Sequence, residues 1–238
     1  MVKVEHRKLG YKALLLALLI GAAGIGPAAQ AADNPDPWEK MNRVTHQFND
    51  VADRVVLKPL ARGYQKITPD PVEQSVGNFF SNLLEVRNIV NNLLQGKLLD
   101  ALSDTGRLVI NTTLGAGGLF DPAQSLGLEK HNEDFGQTLR TWGVPQGPYL
   151  VLPFLGPSTL TDAIGRPANS YLDPVRYLHP VDHRNVLMGV EIIDQRAGLL
   201  SAESVVFGDQ YIFFRDAYLQ RRDYLAKDGE VVDDFDDF

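Results

Sequence analysis

Two histidines at a spacing typical of metal ligands are the first candidates for chemistry in this sequence. His179 and His183 are separated by Pro180, Val181 and Asp182, and two histidines at such a spacing bind zinc when both rings lie on one helical face. Proline breaks a helix, and aspartate favours the N-cap position before a helix begins. We therefore expect the two rings to diverge, and we predict no metal site and no cofactor.

No other pattern in the chain predicts a reaction centre. The run Gly156-Pro-Ser-Thr159 lacks the G-x-S-x-G form of a nucleophile elbow. The run Gly115-Ala-Gly-Gly118 is too short for a P-loop or a dinucleotide-binding fingerprint. Adjacent acids such as Glu133-Asp134 are typical of exposed charge. The sequence therefore predicts a protein with no catalytic residues.

The N-terminal residues have the pattern of a secretory signal peptide of the Gram-negative type. Basic residues, including Lys3 and Lys12, precede an apolar run over 13–20, and Ala29-Gln-Ala31 has the A-x-A form of a cleavage site. A single membrane anchor is the alternative. We predict three segments: a signal peptide over 1–31, a helical domain over 32–227 and an acidic tail over 228–238.

Charge and cysteine content limit the partners of the protein. Without residues 1–31, the formal net charge falls from −7 to about −10. Residues 229–238 hold five acids and no base, which predicts a disordered tail or a docking strip for a basic partner. An acidic exported protein is a poor ligand for nucleic acid. The chain has no Cys, so we expect neither disulfides nor acylation of a cysteine after the signal peptide.

An Asp-Pro-x-Glu pattern predicts where the first helices begin. It occurs at Asp36-Pro-Trp-Glu39 and Asp70-Pro-Val-Glu73, where Asp suits the N-cap, Pro the first helical position and Glu the third. The first occurrence predicts a helix over about 37–57, ended by Pro59. The apolar seam of this helix comprises Trp38, Met41, Thr45, Phe48, Ala52 and Val55. Further helix starts are predicted at Asp121, Asp173 and Asp209.

The second helix, over about 71–95, combines a broad apolar face with a strip of amides. The strip consists of Gln74, Asn78, Asn82, Asn88, Asn91 and Asn92. Uncharged polar side chains on an otherwise apolar helix suit the wall of a wet channel. The alternative is the polar back of an ordinary central helix. The candidate channel-lining amides are Asn78, Asn82, Asn88 and Asn92.

A third helix, over about 98–113, leads into a group of glycines. Gly115, Gly117 and Gly118 lie within four residues. Glycine adopts backbone conformations that other residues avoid, and it lets two chain segments approach closely. The group therefore predicts either a hinge or a very close backbone approach.

The stretch 133–162 is rich in Gly and Pro, and it contains the apolar cluster 149–155. This cluster is too short to span a membrane. We expect it to hold an irregular shape in an apolar environment, with lipid contact favoured over the protein core. Alternating strand patterns are nearly absent along the chain. We therefore predict an all-α fold, one domain of amphipathic helices joined by long Gly/Pro-rich connections.

Several motifs, in order along the chain, resemble those of the MlaA (VacJ) family, and together they cover essentially the whole region after the signal peptide. The motifs are residues 34–49, KPLARGY at 58–64, GNFFSN at 77–82, RLVINTTLGAGG at 107–118, the stretch 133–162, RAGLL at 196–200 and YLQRR at 218–222. The resemblance implies a ring-like α-helical domain embedded in the Gram-negative outer membrane, at its periplasmic side.

The resemblance also implies a function and partners. Proteins of this family belong to the Mla phospholipid-transport system and bind trimeric porins. Their central channel takes mislocalised phospholipids from the outer leaflet, and a periplasmic carrier receives them. Lipid asymmetry is thereby maintained without enzymatic activity in this component.

Individual residues receive roles from the resemblance. Phe48 and Asn49 match a Phe-Asn element associated with control of the channel. Residues 107–118 match a segment that leads into a mobile loop, with Gly115, Gly117 and Gly118 as hinge candidates. Many family members carry a cysteine directly after the signal peptide, whereas Ala31-Ala-Asp33 stands here. This protein would then depend on its apolar surface and on porin contacts for membrane attachment.

Two other functions fit the sequence. One is a periplasmic lipid hydrolase, which would lose its activity on a single polar substitution. The other is a porin-associated scaffold through which no lipid passes.

Overall fold

The computed structural model describes residues 34–229, and their fold is mostly helical. The helices are α1 (Glu39–Ala52), α2 (Lys58–Ile67), α3 (Asp70–Gln95), α4 (Leu98–Thr113), α5 (Pro122–Ser125), α6 (Phe135–Thr141), α7 (Leu160–Tyr171), α8 (Val181–Gly198) and α9 (Gln210–Ala226). A π-helical turn spans Asp53–Leu57, and 3-10 turns span Pro174–Tyr177 and Ser201–Val205. The predicted signal peptide and most of the predicted acidic tail lie outside the described residues.

The first helix does not end at Pro59. The π-helical turn joins α1 to α2, and the backbone N–H of Lys58 bonds to the carbonyl of Asp53, five residues earlier. Pro59 lies in the first turn of α2, where its missing N–H does least harm. The wider turn before it accommodates the lost hydrogen bond. The prediction that the first helix ends before Pro59 was therefore wrong.

The Asp-Pro-x-Glu pattern also failed to mark the N-caps. Trp38 and Pro69 occupy the N-cap positions of α1 and α3, and neither makes a side-chain cap. Asp36 is instead buried and accepts a hydrogen bond from Asn42 of α1. The predicted starts at Asp121, Asp173 and Asp209 are confirmed, because each side chain accepts a hydrogen bond from a backbone N–H of the following turn.

Helices α3 and α4 form an antiparallel hairpin, which is the most extensive packing between two elements within residues 34–229. Gly96 ends α3 in the left-handed conformation with φ +80°, which suits a residue without a Cβ. The N–H of Lys97 then bonds to the carbonyl of Asn92 at 2.9 Å. This short turn brings the amide strip of α3 against α4.

The stretch predicted to be irregular contains a β-hairpin. Strands β1 (Tyr149–Leu152) and β2 (Gly156–Thr159) pair antiparallel, with Tyr149 opposite Thr159 and Leu152 opposite Gly156. Tyr149 and Val151 are buried, and they form an apolar cluster with Tyr211 of α9. Phe154, at the turn, is 75% exposed. The apolar cluster 149–155 therefore divides between the protein interior and the surface.

Two glycines let α6 and α7 cross at close range. Gly136 and Gly165 are buried, and a Cβ added to Gly165 would lie 2.8 Å from the backbone N of Gly136. Arg222 of α9 reaches the same crossing and donates to Asp134 at 3.1 Å and to Asp162. Charge-assisted hydrogen bonds therefore hold α6, α7 and α9 together.

Candidate functional site

The interior of the protein is polar. In residues 34–229, buried polar or charged side chains outnumber buried apolar ones by 18 to 9. The exterior of the same region carries 37 exposed large apolar side chains. Soluble proteins bury most of their apolar side chains and leave charged ones outside. This side-chain distribution is inverted relative to theirs.

Helix α1 illustrates the inversion. Its predicted apolar seam faces outward, and Met41 and Phe48 are each about half exposed. The buried side of the helix carries Asn42, which is fully buried, and the half-buried Asn49. The sequence correctly predicted an amphipathic helix, but periodicity does not indicate which face turns inward.

The candidate site is the polar seam between α3 and α4. Glu85 and Arg107 are each 1% exposed at the side chain, and their Oε1 and Nε atoms are 2.9 Å apart. Arg107 also donates to Asp121 at 2.7 Å and to the carbonyl of Leu128 at 2.7 Å. The guanidinium thus has two carboxylate partners and a backbone acceptor, which a buried charge requires.

The electrostatic state of the seam follows from these contacts. Burial raises the pKa of Glu85, although the hydrogen bonds from Arg107 and Asn88 oppose the shift. Burial also opposes ionisation of Asp121, but the hydrogen bonds from Arg107 and its neighbours outweigh it and lower the pKa. Asp121 is therefore the firmly ionised partner of Arg107.

Three of the four candidate channel-lining amides are buried in this seam. Asn82 donates to Thr112 at 3.1 Å and Asn92 donates to Asp104 at 2.8 Å. Asn88 donates to the carbonyl of His131 and accepts from the N–H of Glu133. Asn78 is half-buried and donates to the carbonyl of Leu119 at 3.2 Å. The amides of α3 contact protein groups, and their role as a channel lining stays a prediction.

A histidine–aspartate pair fastens the segment 126–134 to α4. His131 Nδ1 lies 2.7 Å from Oδ1 of Asp104, and its Nε2 lies 3.8 Å from Asp100. Burial disfavours the imidazolium, but the hydrogen bond and charge of Asp104 outweigh it and raise the pKa of His131 above 6.5. The protonated ring is therefore the form that the site stabilises.

We expect this pair to make stability depend on pH. Because the folded-state pKa of His131 is raised, its contribution is complete below pH 6.5 and is lost as the pH rises through the raised value. Urea unfolding of the detergent-solubilised protein at pH 6 and pH 9 measures the loss of stability with rising pH. In the His131→Gln variant this loss should be smaller. His46→Gln is the control. Burial lowers the pKa of His46, so its contribution to stability is lost as the pH falls and not as it rises. An equal loss in His131→Gln and wild type would contradict the assignment.

Phe48 and Asn49 contact the turn of the β-hairpin. The Asn49 side chain donates to the carbonyl of Leu152 at 2.9 Å and accepts from the N–H of Phe154 at 2.8 Å. The rings of Phe48 and Phe154 meet edge to face, with centroids 5.0 Å apart. Phe154 itself has φ +62°, a conformation that non-glycine residues rarely adopt. The Phe-Asn element therefore holds a strained turn in place.

Asn42 makes the same kind of contact two helical turns before Asn49. Its side chain donates to the carbonyl of Tyr149 at 3.1 Å and accepts from the N–H of Val151 at 2.9 Å. A single asparagine has both a donor and an acceptor, so it can satisfy two backbone groups of a strand. Asn42 was not among the functional residues predicted from the sequence. Its seven-residue spacing from Asn49, on one helix face, was the available signal.

The three candidate hinge glycines differ in their surroundings. A Cβ on Gly115 would lie 2.3 Å from the carbonyl oxygen of Phe120, and a Cβ on Gly118 would lie 2.7 Å from Asn82. Gly117 has φ +77° and no atom near its missing Cβ. Gly115 and Gly118 are therefore positions of close approach, one of the two alternatives expected from sequence. A gating role for the three glycines stays a prediction.

We expect Gly118→Ala to destabilise the protein by about 1–3 kcal/mol, because the residue has φ +91° and no space for a methyl group. Chemical unfolding in detergent measures the change. The matched control is Gly63→Ala on the exposed face of α2, where the methyl group meets no atom within 4 Å. Alanine should stabilise that helix position by ~0.5–1 kcal/mol. Equal unfolding midpoints for Gly118→Ala and wild type would contradict the prediction.

The two histidines at metal-like spacing lie at the surface, whereas Glu133, which we expected to be exposed, is buried, and Asp134 beside it is half-buried. His179 and His183 are both exposed. Within residues 34–229, no group of three or more potential ligand side chains is placed to hold a metal ion. The same region contains no helix that is both long and apolar enough to span a membrane.

A polar interior enclosed by apolar helix faces is typical of proteins that contact lipid or apolar partner surfaces. Comparison with known proteins then identifies the family. A family model described as "MlaA lipoprotein" matches residues 34–225, and the chain belongs to this family.

Individual relatives agree with the family model. The Escherichia coli protein named "Intermembrane phospholipid transport system lipoprotein MlaA" is 34% identical over 231 residues, covering 94% of this chain and 90% of the relative. A Rickettsia typhi protein named "Uncharacterized protein RT0044" is 36% identical over 192 residues, covering 79% of this chain and 76% of the relative. A solved structure described as "Structural basis for maintenance of bacterial outer membrane lipid asymmetry" superposes with a TM-score of 0.70 at 36% identity, covering 80% of this chain and 98% of that chain.

Proposed function

We propose that this protein is an outer-membrane phospholipid channel. It removes mislocalised phospholipids from the outer leaflet and passes them to a periplasmic carrier, which maintains lipid asymmetry. Family membership supports this function, because the E. coli relative is named as a component of an intermembrane phospholipid transport system. The name of the E. coli relative describes a transport component, which also supports a non-enzymatic role.

The inverted side-chain distribution is the observation that carries the proposal. Ile67 and Leu99 are each 81% exposed, and Phe154 is 75% exposed. In water, each buried square ångström of apolar surface is worth roughly 25 cal/mol, so exposed side chains of this size forgo substantial stabilisation. Lipid or an apolar partner would supply the missing burial. We therefore place the protein in the outer membrane, with its apolar helix faces outward and its ring interior polar.

The polar interior supports passage of headgroups. A phospholipid has a charged or zwitterionic headgroup, whose transfer through an apolar medium is costly unless polar groups replace its water. The seam between α3 and α4 supports a polar interior, because Glu85, Arg107 and most of the amides of α3 are turned inward and away from the apolar exterior. In our proposal, Phe48, Asn49 and the glycines Gly115, Gly117 and Gly118 control the passage, and Asn78, Asn82, Asn88 and Asn92 border it.

We propose trimeric outer-membrane porins and the periplasmic carrier of the Mla system as protein partners. Family membership supports both. The outer wall of a porin carries an apolar band about 25 Å tall, and the exposed apolar faces of α1 and α4 are chemically suited to such a wall. Met41, Phe48, Leu99 and Leu102 are among the exposed side chains on these faces.

Mass spectrometry of lipid bound to the detergent-purified protein tests the proposal. We expect intact phospholipid to co-purify, above the background of a soluble periplasmic protein purified in the same detergent. Lysophospholipid and free fatty acid, formed in proportion to the protein added, would support a lipid hydrolase instead. Absence of bound lipid would support a porin-associated scaffold. Recovery of all the protein in the soluble periplasm after gentle lysis would contradict the proposed location.

A further inference from the structure

A cleft of about 190 Å³ lies between α3, α8 and the segment Lys130–Asn132. Phe80 and Leu84 form its apolar wall, and Arg87 and Asn88 of α3 form its polar end. Lys130 lies beside this polar end and is exposed. The cleft therefore joins an apolar surface to two cationic side chains.

Arg87 differs in its partners from Arg107, the arginine of the seam between α3 and α4. Its Nε donates to the carbonyl of Glu133 at 3.0 Å, and its Nη2 donates to Oδ1 of Asn132 at 3.2 Å. Both acceptors are uncharged, and within residues 34–229 no carboxylate oxygen lies within 4.0 Å of the guanidinium. Arg107, by contrast, pairs with two carboxylates.

A half-buried guanidinium without a carboxylate partner is costly for a folded protein. Burial lowers the pKa of Arg87, although Asp134, Glu191 and Asp173 oppose this from a distance. The Nη1 amino group makes no hydrogen bond to the described part of the chain. A bound anion would satisfy this donor and compensate the charge.

The negative side chain of the cleft lies away from Arg87. Asp194 of α8 stands at the Gly77 end, where its Oδ2 is 3.6 Å from the position of a Cβ on Gly77. Its Oδ1 already accepts a hydrogen bond from Tyr64 at 2.9 Å. Gly77 and Arg87 are ten residues apart on α3, or about 15 Å along the helix. At the Arg87 end no carboxylate contacts the guanidinium, and Asp134, Glu191 and Asp173 act on its charge only from a distance.

We infer that the Arg87 end of this cleft binds a phosphate group, either that of a phospholipid headgroup or free phosphate. Arginine matches phosphate oxygens with its planar set of donors, Lys130 adds a second positive charge, and the wall of Phe80 and Leu84 accommodates apolar atoms next to the phosphate. The volume is below the ~300 Å³ of sites for drug-sized ligands, so it fits a headgroup and not a whole lipid. The lipid form of this inference rests on the proposed function.

Binding of three probes to the full-length protein in detergent tests the inference: a short-chain phosphatidylethanolamine, glycerophosphoethanolamine and inorganic phosphate. We expect Arg87→Gln to weaken binding of the short-chain lipid by about tenfold to a hundredfold, the range for charged hydrogen bonds. Arg87→Lys, which keeps the charge, should recover part of the affinity. Lys130→Gln, at an exposed position, should weaken binding less than Arg87→Gln.

Arg62→Gln is the matched control, because Arg62 is an exposed arginine on α2, and it should bind as wild type does. Tight lipid binding by wild type with no loss in Arg87→Gln or Lys130→Gln would overturn the inference and leave the proposed function intact. Absence of lipid binding in wild type would overturn the proposed function. If phosphate then still bound and was lost in Arg87→Gln, the phosphate site would stand and a lipid occupant would be excluded.

Discussion

Replacement of Arg107 by methionine is expected to destabilise the protein by about 3–5 kcal/mol, which is the cost of breaking a buried ion pair from one side. The change leaves Glu85 buried without its cation and removes a charged partner of Asp121. It also removes the donor to the carbonyl of Leu128, so segment 126–134 loses one of its contacts with α4. Equilibrium unfolding in detergent, followed by circular dichroism, measures the loss.

A surface control and a double variant test whether the lost stability comes from the buried charges. Arg54→Gln removes a largely exposed arginine paired with Asp50, and its cost should stay within ~1 kcal/mol. Adding Glu85→Gln to Arg107→Met should recover part of the lost stability, because the stranded carboxylate is then absent. An unfolding midpoint of Arg107→Met within error of wild type would show that the buried pair does not hold the α3–α4 hairpin.

Deletion of Phe48 and Asn49 is expected to raise the level of phospholipid in the outer leaflet. A helix turns about 100° per residue, so the deletion places Asp50 and Val51 where the ring and the amide stood. Both hydrogen bonds to the hairpin turn at Leu152 and Phe154 are then lost. The strained turn loses its support, and the passage loses the element that we propose controls it.

A headgroup-reactive reagent that does not enter intact cells measures outer-leaflet phospholipid in a strain carrying only the variant. Phe48→Leu keeps an apolar side chain beside Phe154 and should remain near wild type. Asn49→Asp keeps the acceptor for the N–H of Phe154 but loses the donor to Leu152, so we expect an intermediate effect. Wild-type phospholipid levels in the deletion strain, with normal amounts of the variant in the outer membrane, would refute a controlling role for this element.

The sequence was sufficient to predict the helical character of the fold and many of the helix positions. Capping aspartates such as Asp121 and Asp209 are local signals, and their prediction needed no knowledge of tertiary structure. Pro59 and the β-hairpin were missed for a shared reason. Proline and glycine mark departures from regular structure, but they do not distinguish a helix end from a π-helical turn, or an irregular loop from a tight hairpin.

The polar seam was harder to predict than the helices that carry it. An amphipathic helix has the same periodicity whether its polar face is buried or exposed. Glu85, Asp104 and Arg107 therefore resembled ordinary surface charges, and His131 resembled an isolated histidine. Their importance depends on partners 20 or more residues away, such as Arg107 for Glu85 and His131 for Asp104. Prediction of such pairs requires the register of one helix against another.

The asparagine contacts of α1 have a consequence for the solubility of the folded chain. The outer edge of a β-strand normally presents free N–H and C=O groups that can recruit a strand from another molecule. Along β1, Asn42 and Asn49 occupy three of these groups, and the N–H of Tyr149 bonds to the carbonyl of Pro35. Asn49 also accepts from the N–H of Phe154 in the turn. A helix thus closes this edge where another strand would otherwise add. For a protein with so much exposed apolar surface, that closure removes one route to aggregation.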